Sequence, residues 1–187
     1  KYDVPESRFA VVYYPLPPHS KTSVADVRGP YGYSADDIIV LTVSYLVKRK
    51  GTEDLVRAIS RISNSKIKLL IVGDGPEYAA LKKLVDDLGL QSRVRLAGRV
   101  ADVDSFYHHS DIFSLASYFL KEEGDVEGLG IVFLEAQQHG MPVVGTNSGG
   151  IPETFADGES GILVKERDVP ALARAIETLA NNRDLRR

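Results

Sequence analysis

Residues 127–153 hold the side chains best suited to chemistry. Glu127 and Glu135 are separated by seven residues, and glycines lie between them where an apolar helix is predicted to begin at about Leu129. The free amide groups at such a helix start, together with the helix dipole, favour a bound phosphate. Glu135 would lie roughly 7–8 Å along the helix axis. A phosphate at the helix start would therefore have a carboxylate on each side.

The same segment also has a purely structural interpretation. An amphipathic helix with Glu135 in solvent, followed by a buried strand over residues 142–145 and a glycine turn, would give the same pattern. Spacing alone leaves the two interpretations open.

The turn Gly73-Asp74-Gly75 follows an apolar run and precedes a helical pattern, as a dinucleotide-binding fingerprint does. The third glycine of that fingerprint is missing, because Tyr78 stands in its place, and no acidic residue follows at the ribose-binding distance. We therefore favour a tight turn that needs glycine over a site for NAD. The sequence also lacks a P-loop and a G-x-S-x-G motif.

Candidate metal ligands are few. Asp102 and Asp104 form a D-x-D pair at a predicted helix start, where carboxylates cap free amides. His108 and His109 are adjacent and so point apart on a helix, and the chain has no cysteine. We expect no protein-bound metal.

Two hydrophobic periods alternate along the chain and predict the elements that position these residues. Short apolar runs indicate strands at 38–42, 67–72, 94–97, 111–115, 142–145 and 162–164. Helical spacing lies between them, with Thr52 as a predicted cap, Pro76 at a first helical position and Gly89 as a stop. The order predicts an α/β fold, a doubly wound parallel sheet of Rossmann-like type, with ligands at the carboxyl ends of its strands.

Composition sets further limits. The 187 residues fit a single domain spanning 1–187, and 23 Lys and Arg against 26 Asp and Glu give a net charge of -3, which argues against a nucleic-acid binder. The absence of cysteine fits a cytoplasmic setting, and no run is long enough to span a bilayer. One strand is expected at residues 9–13, before a Pro- and Gly-rich loop. Because the chain begins at Lys1 without a methionine, we expect a piece of a longer protein.

A long motif gives the sequence a family resemblance. Glu127-Gly-Leu-Gly, Glu135-Ala, Gly140-x-Pro142, Gly149-Gly150 and Glu153 stand in order, followed by Asp157-Gly158. The pattern resembles the donor-binding, C-terminal lobe of retaining two-lobed (GT-B) glycosyltransferases of family 4, the glycosyl transferases group 1. Upstream, residues 46–51, 72–76, 94–100 and 107–111 also match the family.

The resemblance implies a role for each matching residue. Lys50 would contact the diphosphate, Glu135 would bind the ribose, and the backbone of Gly98, Arg99 and Val100 would hold the base. Glu127, taken as the catalytic candidate, would bind the transferred sugar. It would do so with the amides of Leu129, Gly130 and Ile131, which also reach the diphosphate.

The sequence departs from the family at three places. Tyr45 stands where members usually carry a second cation, an arginine. Arg49 would replace it, but we expect Arg49 and Lys50 to point to opposite faces, as neighbours in extended chain do. Residues 13–17 replace an N-G-x-D signature. The loop 118–126, with Glu122, Glu123 and Asp125, is longer than usual and is either a solvated loop or a lid near the sugar.

The resemblance implies an enzyme lobe that binds a nucleotide-diphosphate sugar, without a metal, for transfer with retained anomeric configuration. We expect a UDP-sugar such as UDP-glucose, with GDP-mannose as the alternative, and a saccharide or lipid acceptor bound by the missing N-terminal lobe, as in polysaccharide biosynthesis. This lobe alone is expected to be inactive in transfer. Two other functions stay open: an inactive nucleotide-sugar-binding module and, more remotely, an NAD-linked oxidoreductase domain. Peripheral contact with the inner membrane surface is undecided.

Overall fold

The computed structural model describes residues 5–8, 10, 16, 25–121 and 124–186. The strand expected at residues 9–13 lies outside the described residues apart from Ala10, as do Glu122 and Glu123 of the long loop. The description of the fold therefore begins in effect at Ala25.

One parallel sheet of six strands forms the centre of the described chain, in the order β3-β2-β1-β4-β5-β6. The strands are β1 (Ile38–Val43), β2 (Ile67–Val72), β3 (Val94–Gly98), β4 (Ile112–Leu115), β5 (Val143–Thr146) and β6 (Gly161–Val164). Each of the six apolar runs predicted above forms one of these strands, with ends that shift by one residue at most. The predicted doubly wound sheet is confirmed.

Helices cover both faces of the sheet. They are α1 (Thr52–Arg61), α2 (Tyr78–Asp87), α3 (Asp104–His108), α4 (Ile131–Gln138) and α5 (Val169–Asn181). One apolar cluster joins α1, α2 and α5 to one face, and a second cluster joins α3 and α4 to the other. This two-sided cover explains the continuous apolar runs, because strand residues such as Leu69 and Leu70 are fully buried on opposite faces. Each such side chain contributes about 1.5–3 kcal/mol of burial free energy.

Three predicted helix starts are displaced by one or two residues. Thr52 is the first residue of α1, and Gly51 occupies the cap position that was assigned to Thr52. Pro76 precedes the start of α2 by two residues. The predicted start at Leu129 is also wrong, because Gly130 adopts a left-handed conformation (φ 80°) and α4 begins at Ile131.

Because all six strands are parallel, their carboxyl ends, and the segments that follow them, lie at one edge of the sheet.

Candidate functional site

The carboxylate of Glu127 is the centre of a polar cluster at this edge. Its Oε2 accepts hydrogen bonds from Lys50 Nζ at 2.5 Å, Arg49 Nη1 at 3.2 Å and Ser117 Oγ at 3.0 Å. Glu127 itself is 8% exposed. A nearly buried carboxylate is therefore held by two cations and a hydroxyl, which satisfies the requirement that a buried charge be paired.

The two cations come from a short 3₁₀ turn, Lys48–Lys50, that follows β1. The expectation that Arg49 and Lys50 point apart is wrong, because a 3₁₀ turn advances about 120° per residue and not the 180° of an extended chain. Both side chains therefore reach the same oxygen. Arg49 also forms an ion pair with Asp125, whose Oδ2 lies 2.6 Å from Arg49 Nε. Tyr45, in the place of the usual arginine, is 64% exposed.

A glycine pair after β5 sets the position of Glu127. The N–H of Gly150 donates to the Glu127 carbonyl at 3.1 Å. A Cβ at Gly149 would lie 2.0 Å from that same carbonyl oxygen, and one at Gly150 would lie 2.0 Å from the carbonyl oxygen of Gly128. Only glycine permits this approach, so the motif glycines place the chain that carries Glu127.

The loop 118–126 is anchored at its start by two hydrogen bonds. The N–H of Tyr118 donates to the carbonyl of Arg49 at 2.8 Å, and the N–H of Phe119 donates to Glu166 Oε1 at 3.1 Å. Further along, Leu120 and Asp125 pair through their backbones. The loop thus links the cation turn after β1 to the segment after β6. The lid and solvated-loop interpretations both remain predictions.

The start of α4 offers amide groups to a ligand. Phe133 donates its N–H to the carbonyl of Gly130. Among the described residues, none accepts a hydrogen bond from the amides of Leu129, Gly130 or Ile131. A helix start with free amides favours an anion. The role of these three amides as a phosphate site remains a prediction.

Glu135, the fifth residue of α4, lies outside the Glu127 cluster and has a different partner. Its Oε2 accepts a hydrogen bond from the hydroxyl of Tyr107, on α3, at 2.7 Å. Tyr107 is buried, and burial followed by the nearby charge of Glu135 raises the pKa of its hydroxyl far above the usual value. Tyr107 therefore stays protonated and acts as the donor. A ribose contact for Glu135 stays a prediction.

The predicted base-binding residues lie at the end of β3, two strands from the cation turn. Gly98 ends the strand, and its carbonyl accepts the N–H of Gly73 at 2.9 Å. Arg99 is exposed, and the side chain of Val100 packs against the apolar cluster under α3 and α4. The structure thus places the three residues at the carboxyl edge of the sheet, and their contact with a base remains a prediction.

Two structural interpretations of the sequence are confirmed. A Cβ at Gly73 would lie 1.8 Å from the carbonyl oxygen of Ser44, so the Gly73-Asp74-Gly75 turn needs glycine for close approach. Asp102 accepts the N–H of Ser105 at 3.3 Å in the first turn of α3. Within the described residues, no group of three or more His, Cys, Asp or Glu could hold a metal ion.

Sequence reasoning missed three contacts of the site. The sequence did not predict the contact of Ser117 with Glu127, that of Asp125 with Arg49, or that of Tyr107 with Glu135. Tyr107 did belong to a matched family motif, which was the one available signal. The other two follow β4 in a loop whose course no local pattern predicts.

Comparison with known proteins identifies relatives over most of the chain. The family model of glycosyl transferases group 1 matches residues 25–187. The GDP-mannose-dependent alpha-(1-6)-phosphatidylinositol monomannoside mannosyltransferase of Mycobacterium tuberculosis is 37% identical over 95% of this chain and 51% of that protein. The N-acetyl-alpha-D-glucosaminyl L-malate synthase of Bacillus anthracis is 33% identical over 89% of this chain and 42% of that protein.

A solved structure shares the fold. HepE of Anabaena, in complex with UDP-glucose, superposes with a TM-score of 0.73 and 27% identity, over 81% of this chain and 41% of that chain. This chain spans about half the length of the curated relatives it matches. In the part of the chain that the structure describes, no helix is both long and apolar enough to cross a membrane.

Proposed function

This chain belongs to the glycosyl transferases group 1, and from that premise we propose that it is the donor-binding lobe of a retaining GT-B glycosyltransferase. The lobe binds a nucleotide-diphosphate sugar at the carboxyl edge of its sheet. We assign the acceptor site to a second lobe outside this chain, which covers 51% of the mannosyltransferase that it matches.

The observation that carries the proposal is the convergence of Lys50 and Arg49 on Glu127. A departing diphosphate develops negative charge, and fixed cations and amides at that place lower the barrier to transfer. Lys50 acts as a point charge, and the planar guanidinium of Arg49 can hold two phosphate oxygens. Arg49 thereby takes the part of the second cation that Tyr45 does not supply. This arrangement supports transfer without a metal.

The charges of the cluster balance before a ligand arrives. Lys50 and Arg49 carry two positive charges, and Glu127 and Asp125 carry two negative ones. A diphosphate must therefore compete with carboxylates for the cations. Binding is favourable when the phosphate shares Lys50 with Glu127 and gains the free amides of α4. We assign Glu127 to the transferred sugar, because its carboxylate can accept hydrogen bonds from the sugar hydroxyls.

We assign the ribose and the base of the nucleotide sugar to other residues. Glu135 is assigned to the ribose hydroxyls, and the backbone of Gly98, Arg99 and Val100 to the base. These assignments come from the family motif, and the position of Gly98, Arg99 and Val100 at the carboxyl end of β3 supports the assignment of the base.

The base of the donor is a choice between two classes. The relative with 37% identity is named as GDP-mannose-dependent, whereas the solved neighbour with 27% identity holds UDP-glucose. The greater identity favours GDP-mannose over the UDP-sugar that family frequency suggests. A saccharide or lipid-linked acceptor follows from the same relatives, and a cytoplasmic location is supported by a sequence without cysteine.

Calorimetric titration of this chain with GDP, UDP and NAD tests the proposal. We expect GDP or UDP to bind and NAD to show no binding. Binding of NAD with neither GDP nor UDP would reject a glycosyltransferase lobe in favour of an oxidoreductase domain.

An inactive binding module is the second candidate, and the exposed Tyr45 in place of an arginine favours it. The full-length protein separates the two candidates. Transfer or hydrolysis of the donor establishes an enzyme, and nucleotide binding without either reaction establishes a binding module.

A further inference from the structure

A partly buried hydrogen bond joins α3 to α4. The hydroxyl of Tyr107 donates to Oε2 of Glu135 at 2.7 Å, and Tyr107 is 4% exposed. Among the contacts of the described residues, the hydroxyl of Tyr107 is the one donor to this carboxylate, and it occupies Oε2 and not Oε1. Glu135 is half-buried, which keeps that oxygen within reach of a ligand.

We propose that Tyr107 is a positioning residue that orients the carboxylate of Glu135 for the ribose hydroxyls of the bound nucleotide. The proposal rests on the proposed function, which assigns the ribose to Glu135. Tyr107 occupies one carboxylate oxygen and fixes the plane of the group. The second oxygen then accepts from the ribose without a loss of side-chain freedom on binding.

The ring of Tyr107 is itself fixed on two sides. It packs against Phe113 of β4, with ring centroids 6.0 Å apart, and against His139, with centroids 5.3 Å apart. His139 follows α4, and its Nε2 lies 2.9 Å from Oδ1 of Asp104 at the start of α3. Two polar contacts thus join α3 to α4, and a donor held by packing orients its acceptor better than a mobile one.

Tyr107 can act only as the donor in its hydrogen bond with Glu135. A tyrosine hydroxyl keeps its proton at neutral pH, and burial followed by the charge of Glu135 raises the pKa of this one further above the usual value. The carboxylate must then be the acceptor. A neutral, apolar substitute at position 107 would leave Glu135 free to rotate.

Tyr107→Phe removes the hydroxyl alone, and Tyr33→Phe is its matched control. Tyr33 is 6% exposed, and its hydroxyl donates to the carbonyl of Leu69 at 2.9 Å, within the sheet. Each variant loses one hydrogen bond from the hydroxyl of a buried tyrosine. Only Tyr107 contacts the residue assigned to the ribose.

The probes are GDP and UDP, each compared with its 2′,3′-dideoxy form by calorimetric titration of the 187-residue chain. In Tyr107→Phe we expect the affinity for the ribonucleotide to fall about three- to tenfold, as for the cost of ordering one side chain on binding, and the affinity for the dideoxy form to change less than about twofold. Tyr33→Phe should leave both affinities unchanged. In a Glu135→Ala background, Tyr107→Phe should have no further effect.

Each other result overturns a distinct statement. Equal losses for ribonucleotide and dideoxynucleotide, or no loss, would show that the Tyr107 contact is structural. A Tyr107→Phe chain that does not fold, beside a folded Tyr33→Phe chain, would show the same. A wild-type chain that binds neither GDP nor UDP would reject the proposed function, and the role of Tyr107 with it.

Discussion

Lys50 Nζ lies 2.5 Å from Oε2 of Glu127, across 77 positions of sequence. The contact joins the turn after β1 to the loop after β4, two strands that are neighbours in the sheet. Both side chains are largely buried, with 14% of Lys50 and 9% of Glu127 exposed. Removing one partner of such a pair destabilises the protein, because the other charge stays buried without its counter-ion.

Lys50→Met tests the cation of the cluster. It should lower the affinity for GDP or UDP about tenfold or more, because a charge-assisted contact to phosphate is worth roughly 1.5–3 kcal/mol. Lys48→Met is the control, since Lys48 is exposed in the same turn. Titration calorimetry measures both. Equal losses in the two variants would mean that bulk positive charge, and not the position of Lys50, governs binding.

Glu127→Gln should separate binding from transfer. The carboxylate competes with the diphosphate for Lys50 and Arg49, so its neutralisation should leave the affinity for the free nucleotide unchanged or raise it up to about threefold. Transfer by the full-length protein should fall about 100-fold or more, as for other lost stabilising groups at a reacting centre. A variant that binds weakly and still transfers sugar at the wild-type rate would contradict the assignment.

Glu135→Ala should weaken nucleotide binding by about 1–3 kcal/mol through lost hydrogen bonds. Glu153→Ala is the control, because Glu153 belongs to the same motif and is exposed after β5. Wild-type affinity for GDP and UDP in the Glu135 variant would remove this residue from the site.

The fold was predictable because its signals are local. Six buried strands appear as six short apolar runs, and glycine positions such as Gly73 follow from turns that exclude a Cβ. The site was predictable in part, through a long motif that names Glu127 and Glu135. The motif could not predict that Arg49 and Lys50 converge, because the 3₁₀ turn changes the direction in which one of the two side chains points.

Contacts between distant segments were beyond sequence reasoning. The bond between Tyr107 and Glu135 spans 28 positions and depends on how α3 and α4 pack on one face of the sheet. No periodicity encodes that packing. The predicted start of α4 is two residues too early, because Gly130 adopts a left-handed conformation and the helix begins after it. Glycine permits this conformation, but its presence in a sequence does not show that it is adopted.

Asp102→Asn tests the cap of α3, the helix that carries Tyr107. Hydrogen bonds from the side chain and backbone of Ser105 lower the pKa of Asp102 below its usual value. Folding therefore favours the ionised form, so the contribution of Asp102 to stability is present above its unfolded pKa, near 4, and is lost as pH falls through the folded value. The group is exposed, so the effect should be small, about 0.5–1 kcal/mol at pH 7.

Denaturant unfolding of wild type and Asp102→Asn at several values between pH 2 and pH 7 measures this dependence. The difference in the free energy of unfolding should shrink toward low pH. A difference that stays constant across that range would mean that the charge of Asp102 contributes nothing to the cap.

Arg167 anchors the loop that leads to Glu127 and has an unusual backbone. Its φ is 61°, the one positive value outside glycine among the described residues. Its guanidinium lies 4.5 Å from the ring centroid of Tyr118, and its Nη1 lies 3.0 Å from Oδ2 of Asp54, which is 3% exposed. Burial raises the pKa of Asp54, against the lowering effect of Arg167. The side chain thus stabilises its neighbours while the backbone costs free energy.

Two variants at position 167 separate these contributions. Arg167→Ala loses the side-chain contacts and keeps the left-handed backbone, so the free energy of unfolding should fall by about 1–2 kcal/mol. Arg167→Gly loses the same contacts, but its backbone adopts this conformation readily, and it should be about 0.5–1 kcal/mol more stable than the alanine variant. Denaturant unfolding at pH 7 measures both. A glycine variant less stable than the alanine variant would show that the positive φ of Arg167 carries no strain.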